Sequence, residues 1–210
     1  HAFEKHPKGW DPETEPLSRV LAICRVSKTA TIGPVPNDSV WSEQIIVFAT
    51  ADAAALSLLQ SNIHVCFAWH TSSRMKSDLR YSPSDSLVTF PFPGDREMKR
   101  LAGTGDELDS LRKRLCLSKA VGLTGAAALV DDPTVSDAAV IAVRDAVVAN
   151  DRAVADAYGW TDIELDHDFH QVAYLPATQN MRFTISEGSR LEVLGRLAEL
   201  NRERYEAEAE

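Results

Sequence analysis

The block at residues 57–93 limits the possible folds of this chain most, because an apolar, a polar and an aromatic–proline segment follow one another in it. Residues 57–64 have the apolar spacing of a packed helix. The aromatic–proline run at 90–93 stops regular structure, since proline cannot donate to a helix or a strand ladder. Between them, residues 71–82 carry three cations among six hydroxyl side chains. Cations mixed with short hydrogen-bond donors are what proteins use to hold DNA phosphates and to read base edges.

The same block resembles a known family. It is similar to the target-recognition region of large DNA methyltransferases and combined restriction–methylation enzymes, the type IIG or MmeI-like group. The residues that carry the resemblance are Leu58–His64, Trp69, Met75–Ser82 and Phe90–Pro93. Looser similarity extends over nearly the whole chain. Neither a glycine-rich cofactor loop after a strand nor an Asn-Pro-Pro-Tyr motif occurs in the 210 residues. The resemblance therefore implies the recognition end of such an enzyme without its catalytic core.

What the resemblance implies about function is specific. It implies a region that binds a particular double-stranded DNA sequence for a catalytic methyltransferase domain of the same parent chain. For the parent it implies adenine-N6 methylation with S-adenosylmethionine in a restriction-modification system, and it leaves open whether the parent also cleaves DNA. For this chain itself it implies no catalytic residues and no cofactor.

The predicted DNA-binding residues are the cations and hydroxyls of the block and of one earlier turn. They are Lys28, Thr29, Ser73, Arg74, Lys76, Ser77, Arg80, Tyr81 and Ser82. Lys76 and Arg80 suit phosphate contacts, and Arg74 suits a bidentate contact to guanine. Asp78 can accept from a cytosine amino group or pair with Arg80, and we favour the internal pair. An ordinary solvated loop remains the alternative for the block, and an ordinary hairpin turn for Lys28 and Thr29.

Other chemistry-bearing side chains favour simpler interpretations. Trp69 and Tyr81 can stack on a base, but aromatic residues in such a block more often pack in a core. His167 and His170 lie close to Asp166 and Asp168, but no cysteine or third histidine is near in sequence, so we expect a surface loop and no metal. No Gly-x-Ser-x-Gly motif and no convincing carboxylate pair nominates a catalytic centre.

The element pattern predicts an α+β fold in two parts. Residues 15–95 should form a small mixed recognition domain, and residues 96–210 a long antiparallel helical hairpin with a C-terminal helix. Strands are expected at 19–26, 29–32, 44–49 and 87–90, a turn at 33–38, and a helix from Thr50 to about Ile63.

In the second part, a capping box is expected at 104–107, a break at 131–133, a helix capped by Ser136 and ended by Gly159, and a last helix from Thr184 or Ser186. The expected apolar seam consists of Leu108, Leu111, Leu115, Val140, Val143, Val147 and Val154, and the last helix should bury Leu191, Leu194 and Ala198.

Composition allows a rival function. The formal net charge is −9, whereas a free-standing DNA binder usually carries a basic surface. The rival is an acidic helical module that binds a protein partner and no nucleic acid. The three cysteines are far apart, which favours reduced thiols in the cytoplasm, and no apolar run reaches membrane-spanning length.

Overall fold

The computed structural model describes residues 17–209, where three small antiparallel sheets combine with eight α-helices. The predicted α+β class is confirmed. The strands are β1 (Arg19–Cys24), β2 (Val26–Ser27), β3 (Gly33–Pro36), β4 (Ile45–Phe48), β5 (Ser73–Met75), β6 (Asp78–Arg80), β7 (Asp168–Gln171) and β8 (Met181–Thr184). The helices are α1 (Ala53–Gln60), α2 (Asn62–Thr71), α3 (Pro83–Ser86), α4 (Asp95–Met98), α5 (Ala102–Lys119), α6 (Leu123–Asp131), α7 (Ala138–Ala157) and α8 (Glu187–Ala209), with a 3-10 turn at Lys99–Leu101.

The first sheet has β1 at its centre, flanked by β3 and β4. The turn predicted at 33–38 is wrong over its first four residues, because Gly33–Pro36 pairs with β1 as an edge strand. Proline has no backbone N–H to donate, and an edge strand needs donors on one side only. Pro34 and Pro36 therefore predict a turn from the sequence, whereas they lie in an edge strand of the structure. The strand predicted at 29–32 is also wrong, since this segment is irregular.

The helix predicted from Thr50 to Ile63 is two helices, α1 and α2, which meet at Ser61. Asp52, not Thr50, caps α1, and its carboxylate accepts from the backbone N–H of Ala54 at 3.0 Å. Ser61 caps α2 by accepting from the N–H of His64 at 3.2 Å. A serine inside an apolar run therefore marks a helix start here, as its capping chemistry permits.

Two predictions in the recognition block are corrected. Residues 73–80, expected as a loop, form a hairpin of β5 and β6. Residues 87–90, expected as a strand, are turns that follow α3.

In the second part, the helix break at 131–133 is confirmed, but a second break precedes it at 120–122. Ala120 ends α5 with a left-handed φ of 51°. The capping box expected at 104–107 is wrong, because these residues lie inside α5. Asp137, not Ser136, caps α7, and Gly159, with a φ of 76°, follows its end as predicted.

The expected seam is confirmed. Its leucines on α5 and its valines on α7 are buried or half-buried where these two helices pack together, with Val154 in a neighbouring part of the core. The prediction for α8 is wrong in two positions, because Leu191 is 57% exposed and Ala198 is exposed, while Val193 and Leu197 face the core.

A polar network joins α1 to the helices of the second part. The Ser57 hydroxyl donates to the Asn150 amide oxygen at 2.6 Å, and the Asn150 amide donates back to the Ser57 carbonyl at 2.9 Å. One hydrophobic cluster also contains residues from both parts, among them Leu58 and Phe67 with Val154 and Leu197. The division at residue 95 stays a prediction, and the contacts across it are extensive.

Candidate nucleic-acid interface

The predicted DNA-binding block is presented on a short hairpin. β5 and β6 pair in the register Met75↔Asp78, and Lys76 and Ser77 form the two-residue turn between them. Lys76 has a left-handed φ of 57°, a conformation that is costly for a residue with a Cβ. β6 also pairs with β2, so it is the central strand and β5 is the edge. Leu79, 1% exposed, anchors the hairpin in the core.

The two arginines of the hairpin project from opposite faces of its sheet. Arg74 pairs with Leu79, and Arg80 pairs with Ser73. Side chains alternate between faces along a strand, so neighbouring cross-strand pairs lie on opposite faces. Both arginines and Lys76 are exposed. β5 is the edge of this three-stranded sheet and carries Arg74, the turn that follows it carries Lys76, and Arg80 lies at the end of β6.

The favoured Asp78–Arg80 ion pair is wrong. The Asp78 carboxylate instead accepts from the Ser77 hydroxyl at 3.3 Å. Arg74, Lys76 and Arg80 form no ion pair with any residue of the described part. Their charges are therefore available to an external anion.

Hydroxyls at the base of the hairpin have a structural role. The Ser72 hydroxyl lies 2.5 Å from that of Ser86, and it accepts from the backbone N–H of Ser82 at 3.1 Å. These bonds fix the two ends of the hairpin to α3. Ser82 keeps its own hydroxyl near the surface, 3.0 Å from the Ser84 hydroxyl, and Ser73 is exposed.

The prediction that Tyr81 contacts DNA is wrong, because this residue is buried. Its side chain is 1% exposed, and its hydroxyl lies 2.9 Å from Nε2 of His64. Burial raises the pKa of Tyr81 and lowers the pKa of His64 to about 3, so both groups are neutral at pH 7. A side chain held in this way cannot stack on a base. Trp69 is likewise core, as favoured, and it stacks on Tyr174 with 4.8 Å between ring centroids.

The Lys28–Thr29 turn lies at the same end of the sheet as the hairpin tip. Ser27 pairs with Leu79, so the antiparallel register carries the chain from Ser27 towards the Lys76–Ser77 turn. Lys28 is exposed, and its ammonium donates to the Gln179 amide oxygen at 3.3 Å. The structure thus brings together two predicted segments that are more than forty residues apart in the sequence.

Sequence reasoning missed Gln179 and its loop. The contact from Lys28 spans 151 positions, and no local spacing could reveal it. The only available signal was the polar run Thr178-Gln-Asn180 between two apolar segments, which is typical of any surface loop.

The surface-loop prediction is wrong for His167. Its Nε2 lies 2.7 Å from the Asp151 carboxylate, and the two side chains are 6% and 0% exposed. Asp151 also accepts from the backbone N–H of Asn62 at 2.8 Å, so the pair ties the start of α2 to α7. Within residues 17–209, no three His, Cys, Asp or Glu side chains are grouped as metal ligands. The helices of that part are also too short or too polar to span a bilayer.

Comparison with known proteins gives one family match and one similar solved structure that bear on this chain. Residues 15–94 match the family described as MmeI, target recognition domain. A solved structure of the Type IIL restriction-modification enzyme MmeI in complex with DNA is similar to this chain, with a TM-score of 0.65 and 20% identity over 90% of it. The chain spans only 22% of that protein, and at this identity the likeness establishes the fold. No curated protein matches the chain.

Proposed function

We propose that this chain, whose residues 15–94 match the MmeI target-recognition-domain family, reads a specific duplex DNA sequence for a restriction-modification enzyme. The observation that carries the proposal is the hairpin of β5 and β6. It holds Arg74, Lys76 and Arg80 in exposed positions without partners among the described residues, beside the Lys28 turn. Arg74 is the base-reading candidate, and Lys28, Lys76 and Arg80 are the phosphate-binding candidates.

The role of the parent enzyme follows as a further part of the proposal. We infer adenine-N6 methylation with S-adenosylmethionine bound by a separate catalytic domain, and a cytoplasmic location. Neither a glycine-rich cofactor loop after a strand nor an Asn-Pro-Pro-Tyr motif occurs in these 210 residues, so we assign methyl transfer and cofactor binding to that separate domain. Its contribution is to position the duplex, so its substitutions should alter which sequence is methylated.

The rival function, an acidic helical interaction module, would use apolar surface on α5 and α7, where Leu117, Ile141 and Val148 are exposed. The apolar seams of these helices pack against each other. The β5–β6 hairpin, by contrast, carries three exposed cations and one carboxylate within residues 73–80, despite the net charge of −9. Local charge therefore favours DNA over a protein partner.

Replacing Lys76 by asparagine tests the phosphate role. Asparagine tolerates the left-handed φ of 57° at this position better than other uncharged residues do, so the turn is kept while the charge is lost. Binding to duplexes of any sequence should weaken alike. Because three or four phosphates would be neutralised, the log–log salt slope of the unaltered chain should be about −2 to −4, and each lost cation should flatten it by about 1.

Fluorescence anisotropy with a random-sequence duplex over a series of salt concentrations measures this slope. Arg80→Ala should flatten it by a similar amount, whereas Lys113→Ala on α5, which removes an exposed cation far along the chain from the hairpin, should not. Equal slopes for the Lys76→Asn variant and the unaltered chain would contradict the phosphate role.

A further inference from the structure

The loop between β7 and β8 belongs to the core of the recognition domain, although it lies outside residues 15–94. Val172 and Leu175 are 4% and 9% exposed, and they pack in the same cluster as Leu21 of β1 and Leu79 of the hairpin. Tyr174 stacks on Trp69 at 4.8 Å. The recognition strands and this loop therefore share one hydrophobic core.

Two backbone hydrogen bonds and one from a side chain lie within the loop between β7 and β8. The Val172 N–H donates to the Asn180 carbonyl at 2.9 Å, and the Gln179 N–H donates to the Pro176 carbonyl at 2.8 Å. The Arg182 guanidinium donates to the Gln179 carbonyl at 3.1 Å. A loop whose two ends are joined by hydrogen bonds and whose apolar residues pack in a core is already ordered. Its exposed side chains therefore lose little conformational entropy on binding.

The exposed tip of the loop faces the predicted DNA-binding turn across an open groove of about 510 Å³. Lys28 and Thr29 line one side of the groove, and Gln179, Asn180 and Arg182 line another. Thr178 and Gln179 are exposed, and Gln179 accepts the hydrogen bond from the Lys28 ammonium. Hydroxyl, amide and ammonium groups together are the usual donors to the sugar–phosphate backbone.

The carboxylates of the groove are already engaged. Asp131 lies 3.3 Å from Nε of Arg182 and accepts from the N–H of Phe183 at 3.1 Å. Asp132 accepts from the N–H and the hydroxyl of Thr134 at 2.9 and 2.7 Å. Arg182 offsets the charge of Asp131, whereas the hydrogen bonds from Thr134 leave Asp132 negatively charged, so a phosphate is expected on the Lys28 side of the groove.

We infer that residues 178–180 are a second DNA-contacting element, which grips the backbone of the duplex beside Lys28. The inference rests on the proposed function and extends it beyond the family domain. Gln179 is its central residue, because its amide both orients the Lys28 ammonium and contacts DNA. The recognition unit is then discontinuous in sequence and includes the hairpin of β7 and β8.

The test replaces Gln179 by glutamate in the full chain. The carboxylate would pair with Lys28 and repel phosphate, so affinity for a random-sequence duplex at low salt should fall about fivefold to tenfold. Ala198→Glu adds the same charge at an exposed position of α8, outside the groove, and should change affinity by less than twofold. Thermal unfolding of both variants should match that of the unaltered chain.

Each outcome decides a different claim. If Lys76→Asn weakens binding and Gln179→Glu does not, the loop inference is overturned and the proposed function stands. If Gln179→Glu and Ala198→Glu weaken binding equally, the effect is one of net charge and the loop inference is again overturned. If neither the hairpin variant nor the loop variant changes binding, the proposed function fails with it.

Discussion

Replacing Gly105 by alanine is expected to destabilise this protein by about 3 kcal/mol, which is at the upper end for overpacking. A Cβ at this position would lie 2.0 Å from the Ala53 carbonyl oxygen and 3.1 Å from the Ser57 nitrogen. Both atoms belong to the backbone of α1, so no side-chain rotation can relieve the contact. α1 and α5 would have to move apart, which would also strain the bonds between Ser57 and Asn150.

Gly103 on the same helix provides the matched control. A Cβ there meets nothing within 4 Å, so Gly103→Ala should stabilise the protein by about 0.5–1 kcal/mol through the helix propensity alone. Urea denaturation followed by circular dichroism measures both changes. Changes in the free energy of unfolding of the same sign and size in both variants would mean that α5 does not lie against α1 as described.

Replacing Arg144 by alanine should cost about 3–5 kcal/mol, because several backbone carbonyls would be left without a hydrogen-bond donor. Arg144 is 8% exposed and donates to the carbonyls of Leu129, Val130, Asp132 and Val135 at 2.7–3.2 Å. Its guanidinium also lies over two phenylalanine rings of the β7–β8 hairpin, 4.8 and 5.8 Å from their centroids. Without it, four carbonyls at the end of α6 and in the turn before α7 lose a hydrogen-bond donor.

Arg144→Lys should recover little of this loss, because an ammonium cannot reproduce the planar fork of a guanidinium. Arg114→Ala on exposed α5 surface should change the free energy of unfolding by less than about 0.5 kcal/mol. If Arg144→Ala lowers the free energy of unfolding no more than Arg114→Ala does, the α6–α7 connection does not depend on the Arg144 side chain.

Side-chain periodicity made part of this fold predictable. The leucines of α5 and the valines of α7 recur at helical spacing, and they are buried together as expected. Gly159 could be placed at the end of α7 because glycine commonly ends helices, and its φ of 76° is left-handed as that position requires. The hydrophobic effect acts on such patterns locally, so a single sequence displays them.

Features that depend on distant partners could not be predicted. Gly33–Pro36 is a strand only because β1 offers it an edge. Tyr81 is buried because His64 supplies a partner for its hydroxyl, and the same residue at a surface would have suited DNA. Lys28 and Gln179 meet through the fold alone. In the candidate site, the sequence indicated the residue types, but it could not indicate which of them faces outwards.

The most direct test of DNA recognition by the hairpin is methylation mapping of the parent enzyme carrying Arg74→Ala. If Arg74 makes a bidentate base contact, discrimination at one base pair of the methylated sequence should fall by about 1–3 kcal/mol while the other positions stay unchanged. Lys76→Asn and Arg80→Ala should lower methylation of every site alike. Unchanged rate and sequence preference in all three variants would contradict recognition by this hairpin and favour the protein-interaction module.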